Sequence, residues 1–158
     1  MDMAEKVQSE LVRRKKTLAL AESCTGGALA ARITSFPGAS QFFLGSIVAY
    51  ANAWKENLLG VSLKTLTEKG AVSRETVEEM VLGLIERTGA DFGIAISGIA
   101  GPAGAAPGKP VGTVYIAILE RGGNPQVERI EIPKNRSQVI EETVDAALIL
   151  LWQMLCMN

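Results

Sequence analysis

Short apolar runs alternate with amphipathic helical patterns along this chain, and this alternation restricts its fold more than any other feature. The run at residues 17–21 (TLALA) follows a predicted helix over residues 3–15. It leads into a glycine-bearing turn and then into a second predicted helix that begins at Ala28. A strand, a turn and a helix in this order form a βα unit. Further apolar runs predict strands over residues 42–50 and 92–97.

The second half of the chain adds a hairpin to this pattern. The remaining predicted elements are helices over residues 52–58, 73–88 and 137–154 and strands over residues 111–119 and 126–132. Ser73 is predicted to cap its helix and Gly89 to end it. A short, turn-rich segment joins the last two strands, which predicts an antiparallel hairpin. The predicted fold class is α/β, a three-layer α/β/α sandwich on a mixed, mostly parallel sheet with one antiparallel strand.

The composition is that of an ordinary globular protein, with 47% apolar and 21% charged residues. We expect residues 1–158 to form a single domain. The formal net charge of −1 gives no electrostatic basis for binding nucleic acid or an acidic membrane surface. No apolar run approaches the roughly 18 residues of a membrane span, and the charged N-terminus does not resemble a signal peptide. Cys24 and Cys156 lie far apart, so we expect free thiols and a cytoplasmic protein.

The chain contains no histidine. This absence excludes every Ser-His-Asp and Cys-His catalytic arrangement and most zinc sites. If the chain is an enzyme, its general base is a lysine, aspartate, glutamate or tyrosine. We expect neither a metal nor a cofactor.

Chemically interesting segments follow three of the predicted strands. In open α/β sheets, ligands bind beyond the carboxyl ends of the parallel strands. The loops after Ala21 and Ile96 lie at such ends, and residues 50–55 follow the second strand. We therefore expect a binding site where these three segments meet.

The first segment places Ser23 between a strand and a helix, beside Gly26 and Gly27. Free backbone N–H groups and the positive end of a helix dipole at such a position hold an oxyanion or a bound anion. An ordinary helix N-cap is the alternative interpretation. In the second segment, Lys55 is able to deprotonate a serine if burial lowers its pKa, whereas a solvated helix lysine is the alternative. Tyr50 would orient the lysine or the substrate, or serve as a half-buried strand aromatic.

The third segment, residues 97–108, contains four glycines and few side chains. Its exposed N–H groups suit a phosphate or a ribose, and a plain surface loop is the alternative. Arg136 precedes the last predicted helix and is able to pair with a phosphate or carboxylate. A solvated arginine is the other interpretation.

Five separated motifs, taken together and in order, resemble the CinA C-terminal domain, the family of the stand-alone nicotinamide-nucleotide amidase PncC. The motifs are residues 21–27 (AESCTGG), 45–52 (GSIVAYAN), 70–73 (GAVS), 97–102 (SGIAGP) and 109–114 (KPVGTV). The resemblance covers essentially the whole chain. It implies a three-layer sandwich, a tendency to form homodimers, and metal-free hydrolysis of nicotinamide mononucleotide to nicotinic acid mononucleotide and ammonia.

By motif, the resemblance makes Ser23 the nucleophile and Lys55 its base, with Tyr50 beside them. Backbone N–H groups near Ser23 and Gly26 would hold the oxyanion. Ser40 matches a serine near the reacting amide, and Ser97 matches a position that is usually threonine. The expected contacts to the small-molecule nucleotide come from Gly26, Gly27, Ser40, Ser97, Gly98, Gly101 and Arg136.

Two other hypotheses remain open from the sequence. The chain could be a catalytically silent nucleotide-binding module of the competence- or damage-inducible type, which would not need a neutral Lys55 near Ser23. Alternatively, Cys24 could be the nucleophile, although no histidine is present to activate its thiol.

Overall fold

A five-stranded sheet in the order β2-β1-β3-β4-β5 organises the chain, for which a computed structural model describes residues 1–157. The strands are β1 (Leu18–Glu22), β2 (Phe43–Val48), β3 (Phe92–Gly98), β4 (Thr113–Glu120) and β5 (Gln126–Glu131). The helices are α1 (Met3–Arg14), α2 (Ala28–Thr34), α3 (Asn52–Leu59), α4 (Leu63–Glu68), α5 (Arg74–Thr88) and α6 (Arg136–Cys156). A short 3₁₀ turn, Ala39–Gln41, precedes β2.

The strand directions confirm the predicted mixed sheet. β1 pairs in parallel with both β2 and β3. β4 pairs in an antiparallel manner with both β3 and β5. β4 therefore runs against the other four strands, and the last two strands form the predicted hairpin.

Helices cover both faces of the sheet, which gives the three predicted layers. Leu18 and Leu20 of β1 point into a core with α1, α2 and α6. The alternate residues Ala19 and Ala21 point into a second core with α3 and α5. Because alanines are small, α5 lies close to the sheet, where Gly93 of β3 leaves room for its side chains.

Helix ends follow the predicted cap chemistry. The Ser73 hydroxyl accepts a hydrogen bond from the Thr76 N–H at 3.1 Å, and Gly89 ends α5 with a φ of 69°. The structure adds capping boxes that the sequence analysis did not predict, at Asp2 of α1 and at Asn135 of α6.

Two elements differ from the sequence-based prediction. The helix α4 was not predicted, because Leu66 is its sole buried residue and provides no apolar periodicity. The fourth strand begins at Thr113 and not at Val111, because Gly112 has a φ of 95° and a Cβ there would lie 2.0 Å from the Ile132 oxygen. Within residues 1–157, no helix is long and apolar enough to cross a membrane.

Candidate active site

The carboxyl ends of β1, β2 and β3 meet at one edge of the sheet. Glu22 is in register with Val48, and Ala21 is in register with Ala95. The loops that follow these strands are in contact, since a Cβ on Gly98 would lie 3.1 Å from the Cys24 sulfur. The structure thus brings together the three segments that the sequence analysis singled out.

Ser23 begins the turn between β1 and α2, and this residue is 7% exposed. Within residues 1–157, no group forms a hydrogen bond with its hydroxyl. Strand β1 alternates between the two cores, and Ser23 comes two residues after Ala21, which predicts a side chain on the α3 side of the sheet. The hydroxyl is free to meet a ligand, because it has no hydrogen-bond partner in the described residues.

The neighbouring Glu22 fastens this turn in place. Its carboxylate is fully buried and accepts hydrogen bonds from the hydroxyls of Thr25 and Ser46, both at 2.7 Å. It also accepts from the backbone N–H groups of Leu29 at 2.9 Å and Ala30 at 3.2 Å. Because these donors belong to the turn, β2 and α2, one side chain holds three parts of the site together.

This carboxylate changes which backbone groups are available for an oxyanion. The Glu22 carboxylate accepts from the first turn of α2, whose N-cap Gly27 provides no side-chain acceptor. The Gly26 N–H donates to the backbone oxygen of Ser23 at 3.0 Å and is therefore already used. In the described part of the chain, the N–H groups of Thr25 and Gly27 donate no hydrogen bond. The turn therefore offers Thr25 and Gly27, in place of Gly26, as oxyanion donors.

Lys55 occupies a core position of α3. Lys55 and Leu59 are the two buried residues of this helix, one turn apart on the face towards α5. Lys55 is 1% exposed, and its Nζ donates to the backbone oxygen of Tyr50 at 3.0 Å. No carboxylate within residues 1–157 forms an ion pair with it. Burial lowers the pKa of the Lys55 amine, which favours its neutral form.

Cys24 is the other potential nucleophile of the turn. Burial raises the pKa of its thiol to about 12, although the positive charges of Lys55 and Arg136 act in the opposite direction. A thiol with such a pKa is protonated at neutral pH and is a poor nucleophile. The environment thus favours Ser23 over Cys24.

Tyr50 connects the lysine to Arg136. Its backbone oxygen accepts from Lys55, and its hydroxyl accepts a hydrogen bond from the Arg136 guanidinium at 2.9 Å. The same guanidinium donates to the Gly101 oxygen at 2.8 Å. Arg136 is exposed and forms no ion pair with a carboxylate among residues 1–157, so its positive charge remains available to an anion.

The glycine-rich segment after β3 is held by side chains from three directions. Besides Arg136, the Arg129 guanidinium donates to the Gly108 oxygen, and the Lys109 amine donates to the Lys69 oxygen, both at 2.7 Å. Ser97 at the end of β3 is buried, and its hydroxyl donates to the Ala71 oxygen at 2.7 Å. This hydroxyl therefore uses its one proton to support the loop before α5, and its oxygen remains able to accept a hydrogen bond from a ligand.

Comparisons with known proteins agree with this architecture. Residues 1–155 match the family model described as the CinA C-terminal domain. The chain belongs to the CinA C-terminal domain family.

Individual relatives of this chain are also CinA-like proteins. The chain is 43% identical over 154 residues to a CinA-like protein of Leptospira biflexa, covering 98% of this chain and 37% of that protein. It is 55% identical over 120 residues to a CinA-like protein of Thermotoga maritima, covering 73% of this chain and 29% of that protein. The chain thus spans about a third of the length of these curated relatives.

Solved structures share the fold. A CinA superfamily protein from Klebsiella pneumoniae matches with a TM-score of 0.93 and 34% identity, and each chain is covered completely. The competence/damage-inducible protein CihA from Agrobacterium tumefaciens matches with a TM-score of 0.93 and 36% identity, covering 96% of this chain and 92% of that one.

One residue expected at the site of this CinA domain lies elsewhere. Ser40 is exposed in the turn that precedes β2, where Leu18 at the start of β1 is in register with Phe43. Ser23 follows the opposite end of β1, so the length of that strand, roughly 15 Å, separates the two regions. Within this chain Ser40 does not join Ser23 and Lys55, and its place beside a reacting amide stays a prediction.

Metal ligands do not cluster in the CinA domain. Over the part of the chain that the structure describes, no three Cys, Asp or Glu side chains are arranged to hold an ion. The groups at the sheet edge are a hydroxyl, an amine, a guanidinium and backbone N–H groups, which suit an anionic organic ligand.

The Glu22 network gives a first testable prediction. Replacing Glu22 with glutamine puts an amide donor where a carboxylate oxygen accepts from N–H and hydroxyl donors. We expect the free energy of unfolding to fall by about 1–3 kcal/mol, the cost of unsatisfied buried donors. Urea titration measures this change. Glu56→Gln, at an exposed position of α3, is the matched control, and equal stability of both variants would contradict the role of Glu22.

Proposed function

We propose that this chain is a serine–lysine amidase that hydrolyses nicotinamide mononucleotide to nicotinic acid mononucleotide and ammonia. The observation that carries the proposal is the environment of Lys55. A fully buried lysine whose amine has one neutral hydrogen-bond partner and no carboxylate is destabilised as a cation. Lys55 acts electrostatically on Cys24 of the turn that bears Ser23, and the Ser23 hydroxyl has no hydrogen-bond partner among residues 1–157.

The reaction follows from these two groups. Neutral Lys55 accepts the proton of the Ser23 hydroxyl as its oxygen attacks the carboxamide carbon, and a tetrahedral oxyanion forms. The lysine then gives that proton to the amide nitrogen, the carbon–nitrogen bond breaks, and ammonia leaves. Water attacks the resulting ester between Ser23 and the nicotinic acid mononucleotide acyl group, with Lys55 again as base, which releases nicotinic acid mononucleotide and restores Ser23.

The turn provides donors for the oxyanion. The N–H groups of Thr25 and Gly27 are unused within residues 1–157, and the Glu22 network holds their backbone rigid. Preorganised donors of this kind stabilise charge that develops in the transition state. Turn rigidity and lysine burial together support acyl transfer at this edge of the sheet.

Arg136 is proposed to bind the substrate phosphate. Its exposed guanidinium is fixed by Tyr50 and Gly101 and lacks an acidic partner in the described residues. The shared contact with Tyr50, which accepts hydrogen bonds from both Arg136 and Lys55, supports a phosphate contact close to the proposed base. Binding of the phosphate would orient the ring and exclude free nicotinamide.

The primary test is ammonia release from nicotinamide mononucleotide. Wild type and Cys24→Ala are both expected to release ammonia, since burial keeps the Cys24 thiol protonated. Loss of release in Cys24→Ala alone would assign the reaction to the thiol. No release by a folded wild type that still binds the nucleotide in calorimetry would identify a silent binding module.

Replacing Arg136 with alanine tests the phosphate contact. We expect KM for nicotinamide mononucleotide to rise about 10- to 100-fold with little change in kcat, because a charge-assisted contact is lost equally from ground and transition states. Steady-state kinetics measure both constants. Arg13→Ala, which removes an exposed arginine of α1, should leave KM unchanged. A fall in kcat alone would place Arg136 in another role.

A further inference from the structure

The helix that carries Lys55 packs unusually closely against α5. Gly83 of α5 is buried, and a Cβ added to it would lie 1.6 Å from the backbone oxygen of Leu59 and 2.7 Å from its carbonyl carbon. Such separations do not occur between non-bonded atoms, and the obstructing atoms belong to backbone. The close approach of α3 therefore requires glycine at position 83.

This contact is mechanically linked to the lysine. Leu59 is the last residue of α3, one turn after Lys55 on the same buried face. The Lys55 backbone oxygen accepts the N–H of Val61 at 3.1 Å, and both Leu59 and Val61 are buried in the core shared with α5. A helix of eight residues has two turns, so a displacement of its end moves Lys55 with it.

The two ends of the lysine are fixed by different parts of the fold. Its backbone is fixed by the packing of α3 on α5, and its amine is fixed by the Tyr50 oxygen beyond β2. The position of the amine relative to Ser23 therefore depends on how closely α3 packs against α5.

We propose that Gly83 is a positioning residue. Its lack of a side chain lets α3 pack closely against α5 and thereby positions the Lys55 amine for Ser23. The inference rests on the proposed serine–lysine function. Gly83 itself lies on α5, against the Leu59 backbone and an Arg87 side chain, and is not among the proposed reacting groups. Its influence passes through the Leu59 backbone.

Gly83→Ala is the decisive variant. The Leu59 oxygen must retreat by more than 1 Å to clear the new methyl group, and misplacement of about 1 Å costs roughly 10²-fold in rate. We expect kcat to fall about 100-fold while KM changes little, because Arg136 lies on α6. We also expect the pH–rate profile to move to higher pH, because water that reaches the displaced lysine restores its ordinary pKa.

A shift of the pH–rate profile in Gly83→Ala reports a change in the pKa of Lys55 and not a change in the groups around it. Cys24 is the group that acts electrostatically on the lysine, and Glu22 and Arg136 act in turn on Cys24. All three lie on other elements and are unchanged in Gly83→Ala. A merely destabilised protein would lose activity without a shift of this profile.

Controls separate this inference from the proposed function. Leu82→Ala changes an exposed residue of the same helix and should keep the wild-type rate. If Gly83→Ala does not fold, Val61→Ala loosens the same packing and should shift the profile in the same direction by less. NMR of ¹⁵N-labelled lysine measures the Lys55 pKa without any substrate.

The outcomes are distinct. An inactive wild type rejects the proposed function, yet a higher Lys55 pKa in Gly83→Ala would still support the role of Gly83 in seating α3. Wild-type kcat and Lys55 pKa in folded Gly83→Ala would overturn the inference. So would a fall in kcat with an unchanged profile and pKa, since the loss would then be structural.

Discussion

Replacing Ser23 with alanine is expected to reduce the turnover of nicotinamide mononucleotide by about 10⁴-fold or more, while the nucleotide still binds. The hydroxyl provides the atom that forms the acyl bond, and no neighbouring group replaces it, since burial keeps the Cys24 thiol protonated. Losing the nucleophile of a catalytic pair typically costs several orders of magnitude in kcat. The dissociation constant should stay within a few fold, because the Ser23 side chain forms no hydrogen bond that organises the turn.

Ammonia release and isothermal calorimetry measure these two effects separately. Mass spectrometry after acid quench should detect an ester of nicotinic acid mononucleotide on the peptide that contains Ser23 in wild type and none in Ser23→Ala. Cys24→Ala is the matched control, because it changes the adjacent residue of the same turn. Ammonia release by Ser23→Ala at the wild-type rate would rule out the serine mechanism.

Replacing Lys55 with methionine is expected to lower kcat by about 10³-fold or more without unfolding the protein. Methionine resembles the lysine stem in size and fills the same core position beside Leu59. It removes the base, so the serine proton has no acceptor. Lys64→Met, at an exposed position of α4, should retain full activity. If Lys55→Met kept the wild-type rate, another group would have to be the base.

The pH dependence provides an independent measure of the same lysine. Since burial lowers its pKa, kcat/KM of wild type should rise with pH through an ionisation below the usual lysine value of about 10.4. The folded protein binds fewer protons than the unfolded chain between the lowered pKa and that value. Its stability should therefore rise with pH across this window and fall as pH drops through the lowered pKa. Lys55→Met should lack this contribution in urea unfolding at a series of pH values.

Much of the fold was predictable because local patterns specify it. The apolar run before Glu22 predicts β1, and Ser73 and Gly89 mark the ends of α5 by cap chemistry that depends on neighbouring residues. The meeting of three loops followed from the rule for strand ends. α4 escaped prediction because a single buried leucine has no periodicity.

Parts of the site could not be predicted in the same way. Glu22 was left without a role, although a carboxylate directly after a buried strand and three residues before a threonine was a usable signal. Gly83 was also overlooked. An isolated glycine inside a helix indicates a packing reason, but the partner backbone at Leu59 lies 24 residues away and is visible only in three dimensions.

The sequence by itself determined the order of the elements, the sheet edge where the loops gather and the absence of a histidine base. These depend on side-chain periodicity, turn chemistry and composition, which neighbouring residues carry. Only the tertiary structure decided that Lys55 is buried without a carboxylate, that Tyr50 and Arg136 meet, and that Ser40 lies away from Ser23. Desolvation and charge pairing depend on groups distant in the chain, so the property that turns a lysine into a base arises from packing.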